Sequence, residues 1–329
     1  MIQEKERKIE FDILKGIAIY LVILGHVIQY ITDKHFYNNN LWCIIYTFHM
    51  PLFLIISGFF FNINNITPTN SNLFLRSKFN QLIYPGIVVS IIILLIDIFN
   101  GHTYLPLRLF LCELWFLKAL FIIFCICTLF KCTTKWKFKS LILLTTLFLF
   151  FYFPFDYWGI TYALPFFIAG IFIKNNYSSI KANVSSIFII SFIIFLIFSL
   201  LWNKNYLLYH APYELTYYSI IKAIFRYLYG TNIVLLILAS TIIICKDINK
   251  NRYTNLIINI GQNTLYIYII QYIILEKYLK NIEYSTNNQF LDNLIVAPFI
   301  AIISLLIFNY IANITLKNMF LRQYLWRKQ

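Results

Sequence analysis

The chain reads as an all-α integral membrane protein, a bundle of about ten transmembrane helices with both termini in the cytoplasm. Composition, the length of the apolar blocks and the placement of positive charge point there. Of its 329 residues, 60% are hydrophobic and 12% charged, and the mean hydropathy is +0.72. A soluble fold of this length would carry sticky apolar patches, whereas a bilayer accepts such surface. Many apolar blocks approach the ~20 residues that cross a hydrocarbon core of ~30 Å. They are apolar all round, as in Phe188 to Leu201 and Ile233 to Cys245, where barrel strands would alternate. Lipid offers the backbone no hydrogen-bond partners, so such blocks are helices.

The expected spans are Phe11–Ile31, Leu41–Phe61, Leu82–Phe99, Leu114–Phe130, Leu141–Phe155, Thr161–Ile173, Ile187–Trp202, Leu228–Cys245, Gly261–Glu276 and Leu294–Ile314. The sixth is short and holds Pro165, and Tyr217–Tyr229 could extend the eighth outward. With the N-terminus inside, eighteen of the 27 lysines and arginines fall on cytoplasmic segments and seven on outer ones, while Lys15 and Lys118 lie within spans. This positive-inside bias fixes the orientation and accounts for the net charge of +14 without nucleic acid. The first block lacks a small-residue cleavage site and is read as a retained helix. Residues 1–329 form one domain, without an internal repeat or a long linker. Asn62–Asn72 is a loop by composition, and Leu73–Leu82 fits an amphipathic helix at the inner surface. The six cysteines, Cys43, Cys112, Cys125, Cys127, Cys132 and Cys245, make no CxxC pair and read as lipid-compatible filler, with no metal site.

Ionisable residues inside a span are costly and tend to be functional. The first helix carries Asp12, Lys15 and His26. Eleven residues are close to three helical turns, so Lys15 and His26 share a face, roughly 16 Å apart along the axis. Asp12 lies one turn from Lys15. The pair could equally be an interfacial ion pair, and His26 could simply bond a neighbouring helix. The second helix carries His49, then Pro51, Ser57 and Gly58. His49 reaches a depth similar to that of His26, and Pro51 kinks the helix and frees backbone carbonyls. An imidazole can act as a general base near neutral pH. Glu113, Trp115 and Lys118 gather at the outer start of the fourth helix, where Trp115 also suits an aromatic belt. Lys222 and Arg226 share a helix face at the outer rim, as candidates for an anionic group or as plain interfacial charges.

The run Phe11-Asp12-Ile13-Leu14-Lys15-Gly16 through Gly25-His26, then Phe48-His49-Met50-Pro51-Leu52-Phe53 with Ser57-Gly58, then Leu114-Trp115-Phe116-Leu117, resembles the acyltransferase-3 superfamily. The nearest members are the fucose 4-O-acetylase-like and polysaccharide O-acetyltransferase proteins. Weaker echoes are Leu164-Pro165-Phe166-Phe167 with Gly170, and Gly261-Gln262-Asn263-Thr264 onward. The richness in Ile, Asn, Lys, Phe and Tyr points to an AT-rich bacterial genome. The resemblance implies a cell-membrane enzyme that moves an acetyl group from cytoplasmic acetyl-CoA to an extracytoplasmic glycan or lipid-linked sugar. It implies membrane lipids and polysaccharide synthesis or export proteins as partners, and no metal. The family's arginine-x10-histidine motif falls on Lys15 and His26, with the histidine as the leading catalytic residue and His49 as its companion. Lysine keeps the charge but loses the bidentate fork. The family's basic pair before a proline falls on Lys78 and Gln81 ahead of Pro85, so its second basic position is lost, and Arg76 is the candidate to compensate. Many members have histidine where Gln271 stands, so no proton transfer is assigned there. Asp12, Lys15, Ser57, Arg76, Lys78, Glu113, Trp115, Lys118, Lys222 and Arg226 are the candidate substrate contacts. Two rivals stay open: a transporter or flippase for a glycan precursor, and a structural subunit of a polysaccharide export complex. The absence of half-to-half similarity counts against a repeat-built transporter.

Overall fold

The structure, a computed structural model, describes residues 8–99, 114–133, 159–203, 217–246, 251–279, 282, 284–286, 288–318 and 321. Every regular element among them is helical. In chain order these are α1 (Ile9–Val27), α2 (Asn40–Phe60), α3 (Ser71–Lys78), α4 (Tyr84–Phe99), α5 (Trp115–Thr133), α6 (Ile160–Asn175), α7 (Tyr177–Ala182), α8 (Val184–Leu201), α9 (Tyr217–Cys245), α10 (Arg252–Gln262), α11 (Thr264–Gln271) and α12 (Ala297–Lys317). Four π-helical stretches extend them: Ile28–Thr32, Phe79–Ile83, Tyr272–Tyr278 and Asp292–Val296.

Among the described residues, seven helical rods are long and apolar enough to cross a membrane: Ile9–Thr32, Asn40–Phe60, Ser71–Ile96, Trp115–Cys132, Val184–Leu201, Ile221–Cys245 and Gln289–Lys317. The chain is a multi-pass membrane protein. Two more expected spans are helical but shorter. One is α6, with Pro165 inside it. The other is α11 with its π-helical extension to Tyr278. The expected span Leu141–Phe155 lies outside the described residues.

Two departures from the sequence reading and one extension it allowed have local causes. The segment expected to lie along the inner surface instead runs without a break from Ser71 through the π turn at Phe79–Ile83 into α4. Pro85 lies inside this rod, directly after the π turn, and local π winding is one way a membrane helix accommodates a residue without an N–H. The polar stretch before the eighth span is helical throughout, which makes α9 a 29-residue rod. The ninth span is interrupted at Asn263, between α10 and α11. The Asn263 side chain bonds Asn309 and Asn313 at 2.9 Å, and Asn313 in turn bonds Asn259 at 3.0 Å. Asparagines from two helices thus stitch the break shut.

Glycines bring the helices together. A Cβ on Gly58 of α2 would lie 1.9 Å from the Phe167 carbonyl oxygen of α6, and one on Gly170 of α6 2.1 Å from that of Ile55. A Cβ on Gly261 of α10 would lie 1.8 Å from the Asp12 carbonyl oxygen of α1. Backbones that touch in this way gain dispersion contacts which bulkier residues forbid, and in lipid such contacts drive helix association. Helix α1 is the hub: it packs against α2, α9, α10, α11 and α12. Helix α8 is peripheral, with Ile189, Ile190, Ile193 and Leu200 exposed on a face suited to lipid.

Gly58→Ala and Gly261→Ala should each lower the thermal unfolding midpoint of the detergent-solubilised protein. Each cost should exceed the ~1–3 kcal/mol typical of overpacking, because the obstructing atoms are backbone. Gly86→Ala, whose Cβ would meet nothing closer than 3.9 Å, should leave the midpoint unchanged or raise it.

Candidate active site

The expected site residues separate into two groups on α1, three turns apart. The first surrounds Lys15. Its ammonium lies 3.5 Å from Asp12 and 4.9 Å from the centre of the Phe60 ring. It lines a cavity of about 690 Å³ between α1, α2, α3 and α5, together with Ser57, Ser77, Lys78, Gln81 and the amides of Asn62, Asn65 and Asn70. Phe60, Phe61, Phe74 and Phe124 supply apolar walls. Lys78 rests on the Phe124 ring at 5.0 Å and donates to Gln81 Oε1 at 3.2 Å. Two ammonium groups, neutral donors and aromatic faces in one cleft suit a ligand that carries both phosphate and a flat ring. The π turn at Phe79–Ile83 brings Gln81 to the same wall as Lys78, an irregularity frequent at functional sites. Arg76 is exposed and does not line the cavity, so the loss at Gln81 is not compensated by Arg76 there. Asp12 is buried beneath Lys15 as its counter-ion rather than as a wall.

Just outside α1, Lys8 lies over the Tyr177 ring at 3.8 Å, and Tyr177 donates to Glu10. Burial pushes the Lys8 ammonium below the usual lysine range and the Tyr177 hydroxyl above the usual phenol range. This packing clamps α7 to the foot of α1.

The second group surrounds His26. Its Nδ1 lies 2.7 Å from Oε1 of Gln271, at the end of α11. The ring sits beside Tyr30, centroids 5.6 Å apart, and Tyr30 donates to Glu276. Both Tyr30 and Glu276 sit on π-helical stretches, which re-aim side chains that a regular helix would send elsewhere. His49 is buried on α2, with Nδ1 2.8 Å from the Ile45 carbonyl oxygen. A carbonyl only accepts, so His49 Nδ1 carries its proton, and in the neutral ring Nε2 keeps a lone pair. Tyr46 links the two histidine helices. Its ring meets the His49 ring at 4.5 Å, stacks on Trp42 at 3.8 Å, and its hydroxyl donates to Gln29 Oε1 at 2.9 Å. Gly25 makes room for this ring, since a Cβ there would lie 2.8 Å from Tyr46 Cε2. Gly25 adjoins His26 and Tyr46 lies one turn from His49, so the two histidines sit at similar depth on neighbouring helices.

The remaining candidates within the described residues lie on α5 and α9. Trp115 is half-buried at the start of α5, and Gly159, with φ at +60°, lies beneath it where a side chain would be strained. Lys118 is buried. Lys222 is half-buried on α9, and Arg226 is buried with its guanidinium 4.5 Å from the Tyr162 ring centre and 5.5 Å from that of Tyr227. Glu113 lies outside the described residues. Among the described residues, no three His, Cys, Asp or Glu side chains gather as metal ligands would. The sequence reading missed Tyr30, Tyr46 and Glu276 as neighbours of the histidines, and Gln271 as the partner of His26. Glu276, an ionisable residue at the end of an expected span, was the available signal.

Comparison with known proteins adds an independent view. A family model described as "Acyltransferase domain" matches residues 8–312. Nodulation protein NolL of Sinorhizobium fredii (strain NBRC 101917 / NGR234) is 47% identical over 58 residues, which cover 16% of this chain and 15% of the relative. Nodulation protein NolL of Mesorhizobium japonicum (strain LMG 29417 / CECT 9101 / MAFF 303099) is 42% identical over 79 residues, 23% of this chain and 18% of the relative. The chain thus spans less than a fifth of the length of these relatives. No solved structure matches it.

In a chain stripped of its six native cysteines, Ser57→Cys should react with a membrane-impermeant maleimide added on the side that holds the N-terminus. Phe59→Cys, buried against the Phe11 ring, should not react. Labelling of Ser57→Cys only from the opposite side would show that the cavity opens the other way.

Proposed function

The chain belongs to the acyltransferase-3 family, and from that membership we propose that it is a membrane O-acyltransferase that moves an acetyl group from cytoplasmic acetyl-CoA to a hydroxyl of an extracytoplasmic or lipid-linked glycan. One observation carries the reading: a single helix, α1, holds a lysine-lined cavity at one end and a hydrogen-bonded histidine at the other. The positive-inside bias supports a cytoplasmic mouth for the cavity, on the side where acetyl-CoA is found. Lys15 and Lys78 face the phosphates of the donor, and the phenylalanines cover its apolar parts. The acyl arm extends along α1 toward His26.

At His26 the acceptor hydroxyl loses its proton to the imidazole as its oxygen adds to the thioester carbonyl carbon. A C–O bond forms, and collapse of the tetrahedral adduct breaks the C–S bond. The thiolate of CoA takes the proton back from the imidazolium, so the histidine ends as it began. His49, at similar depth with its own Nδ1 held by a carbonyl, orients the acceptor. Trp115, Lys118, Lys222 and Arg226 belong to the expected outer half, where an acceptor glycan arrives. The setting is a bacterial cell membrane, in company with polysaccharide synthesis or export proteins.

His26→Ala in the purified full chain should lower acetyl transfer from radiolabelled acetyl-CoA by about 10²- to 10⁴-fold, the usual contribution of a general base. Lys78→Ala should instead raise KM for acetyl-CoA by about tenfold, the equivalent of one charge-assisted hydrogen bond. Full activity in His26→Ala would overturn the mechanism. Glycan movement in proteoliposomes without acyl transfer would favour a transporter.

A further inference from the structure

The Gln271 amide is fully buried in the bundle, and only one of its two polar atoms is bonded. Its oxygen meets His26 Nδ1 at 2.7 Å, while its nitrogen finds no hydrogen-bond partner. A buried donor left unpaired is costly, and each one in a native structure calls for an explanation, a catalytic role among them. The residue sits where the polar network of the site converges. Tyr30 on the extension of α1 flanks the imidazole and bonds Glu276 of the π turn after Gln271, and His49 and Tyr46 face it from α2. Tyr268 of α11 completes the set of titratable neighbours.

We infer that Gln271 is the positioning residue for His26, and that its free amide hydrogen receives a substrate oxygen. With the amide oxygen toward the ring, Nδ1 must be the donor. The neutral imidazole then has one tautomer, with the lone pair on Nε2, the nitrogen that a base needs. A neutral amide does this without adding charge to a low-dielectric site. The unpaired amide N–H beside the ring supplies a donor for oxygen that becomes negative as the thioester is attacked. Both roles rest on His26 acting as the base.

The test measures kcat and KM against pH for the purified full chain in detergent, with radiolabelled acetyl-CoA as donor and the surface glycan of the host as acceptor. Gln271→Leu removes both functions at similar volume and should lower kcat about 10- to 100-fold with KM for acetyl-CoA little changed. Gln271→Glu keeps the acceptor for Nδ1–H but loses the amide donor. It should recover kcat to a value between Gln271→Leu and the native protein. Its acid limb should move to higher pH, because a carboxylate stabilises the imidazolium. Thermal midpoints identify variants that fail to fold. Native kcat in Gln271→Leu, or a folded Gln271→Glu no better than Gln271→Leu, overturns the positioning role. Native kcat in Gln271→Glu removes the role of the amide donor. Full activity in His26→Ala overturns the base assignment instead, whatever the Gln271 variants do.

Discussion

Helices in lipid gain nothing by hiding apolar side chains from other apolar matter, so backbone contact has to hold the bundle. Here that contact is made by a few glycines whose missing Cβ atoms admit carbonyl groups of the next helix. Gly58 and Gly170 lock α2 to α6 reciprocally, and Gly261 seats α10 on α1 at Asp12. Gly25 lets the Tyr46 ring lie against α1. The candidate residues inherit their positions from these contacts. Gly25 immediately precedes His26, Gly58 comes directly after Ser57, and Gly261 presses on the turn that pairs with Lys15. A rigid site is built where the backbones are closest, because the helices have least freedom there.

The same constraint explains where the bundle places its irregularities. Three of the four π-helical stretches adjoin candidate residues: Tyr30 after His26, Gln81 after Lys78, and Glu276 after Gln271. Each inserts a residue into a helix and rotates the turns beyond it, which lets one helix serve packing and site together. The break at Asn263 is of another kind. Transporters use broken helices to turn backbone groups toward a substrate at mid-membrane. Here the asparagine side chains close on one another between α10, α11 and α12, which suits a joint more than a binding cavity.

Much of this was legible in the sequence, for a physical reason. A span is a matter of length and hydropathy, so nine of the expected spans fall on helices and the tenth lies outside the described residues. The relation of Lys15 to His26 follows from helical periodicity alone, and Pro51 and Gly58 announced themselves by type. The illegible features depend on contacts between distant parts of the chain or on small changes in winding. Gln271 reaches His26 across 245 positions. No local pattern separates the continuous Ser71–Phe99 rod from a surface helix joined to a span, since both are amphipathic at the start and apolar after it. Arg76 illustrates the limit in the other direction: a nearby charge of the right sign is a reasonable substitute until its exposure excludes it from the cavity.

Under the proposed acyl transfer, the two groups on α1 face opposite physical problems. A CoA-like donor is polyanionic and is held best by partly exposed cations that keep some water, as Lys15 and Lys78 do. Proton transfer needs a neutral imidazole in a drier place, where a hydrogen bond fixes the tautomer. One short cavity could not meet both demands, because the lysines would repel an imidazolium forming beside them. Eleven residues of α1 separate them by roughly 16 Å, which weakens the repulsion with distance, and the Asp12 carboxylate 3.5 Å from the Lys15 ammonium offsets part of that charge. In that proposal the acyl arm of the donor connects the two ends. In the proposed reaction the depth of His26, more than its identity as a histidine, is then the feature on which chemistry at the far side of the membrane would depend.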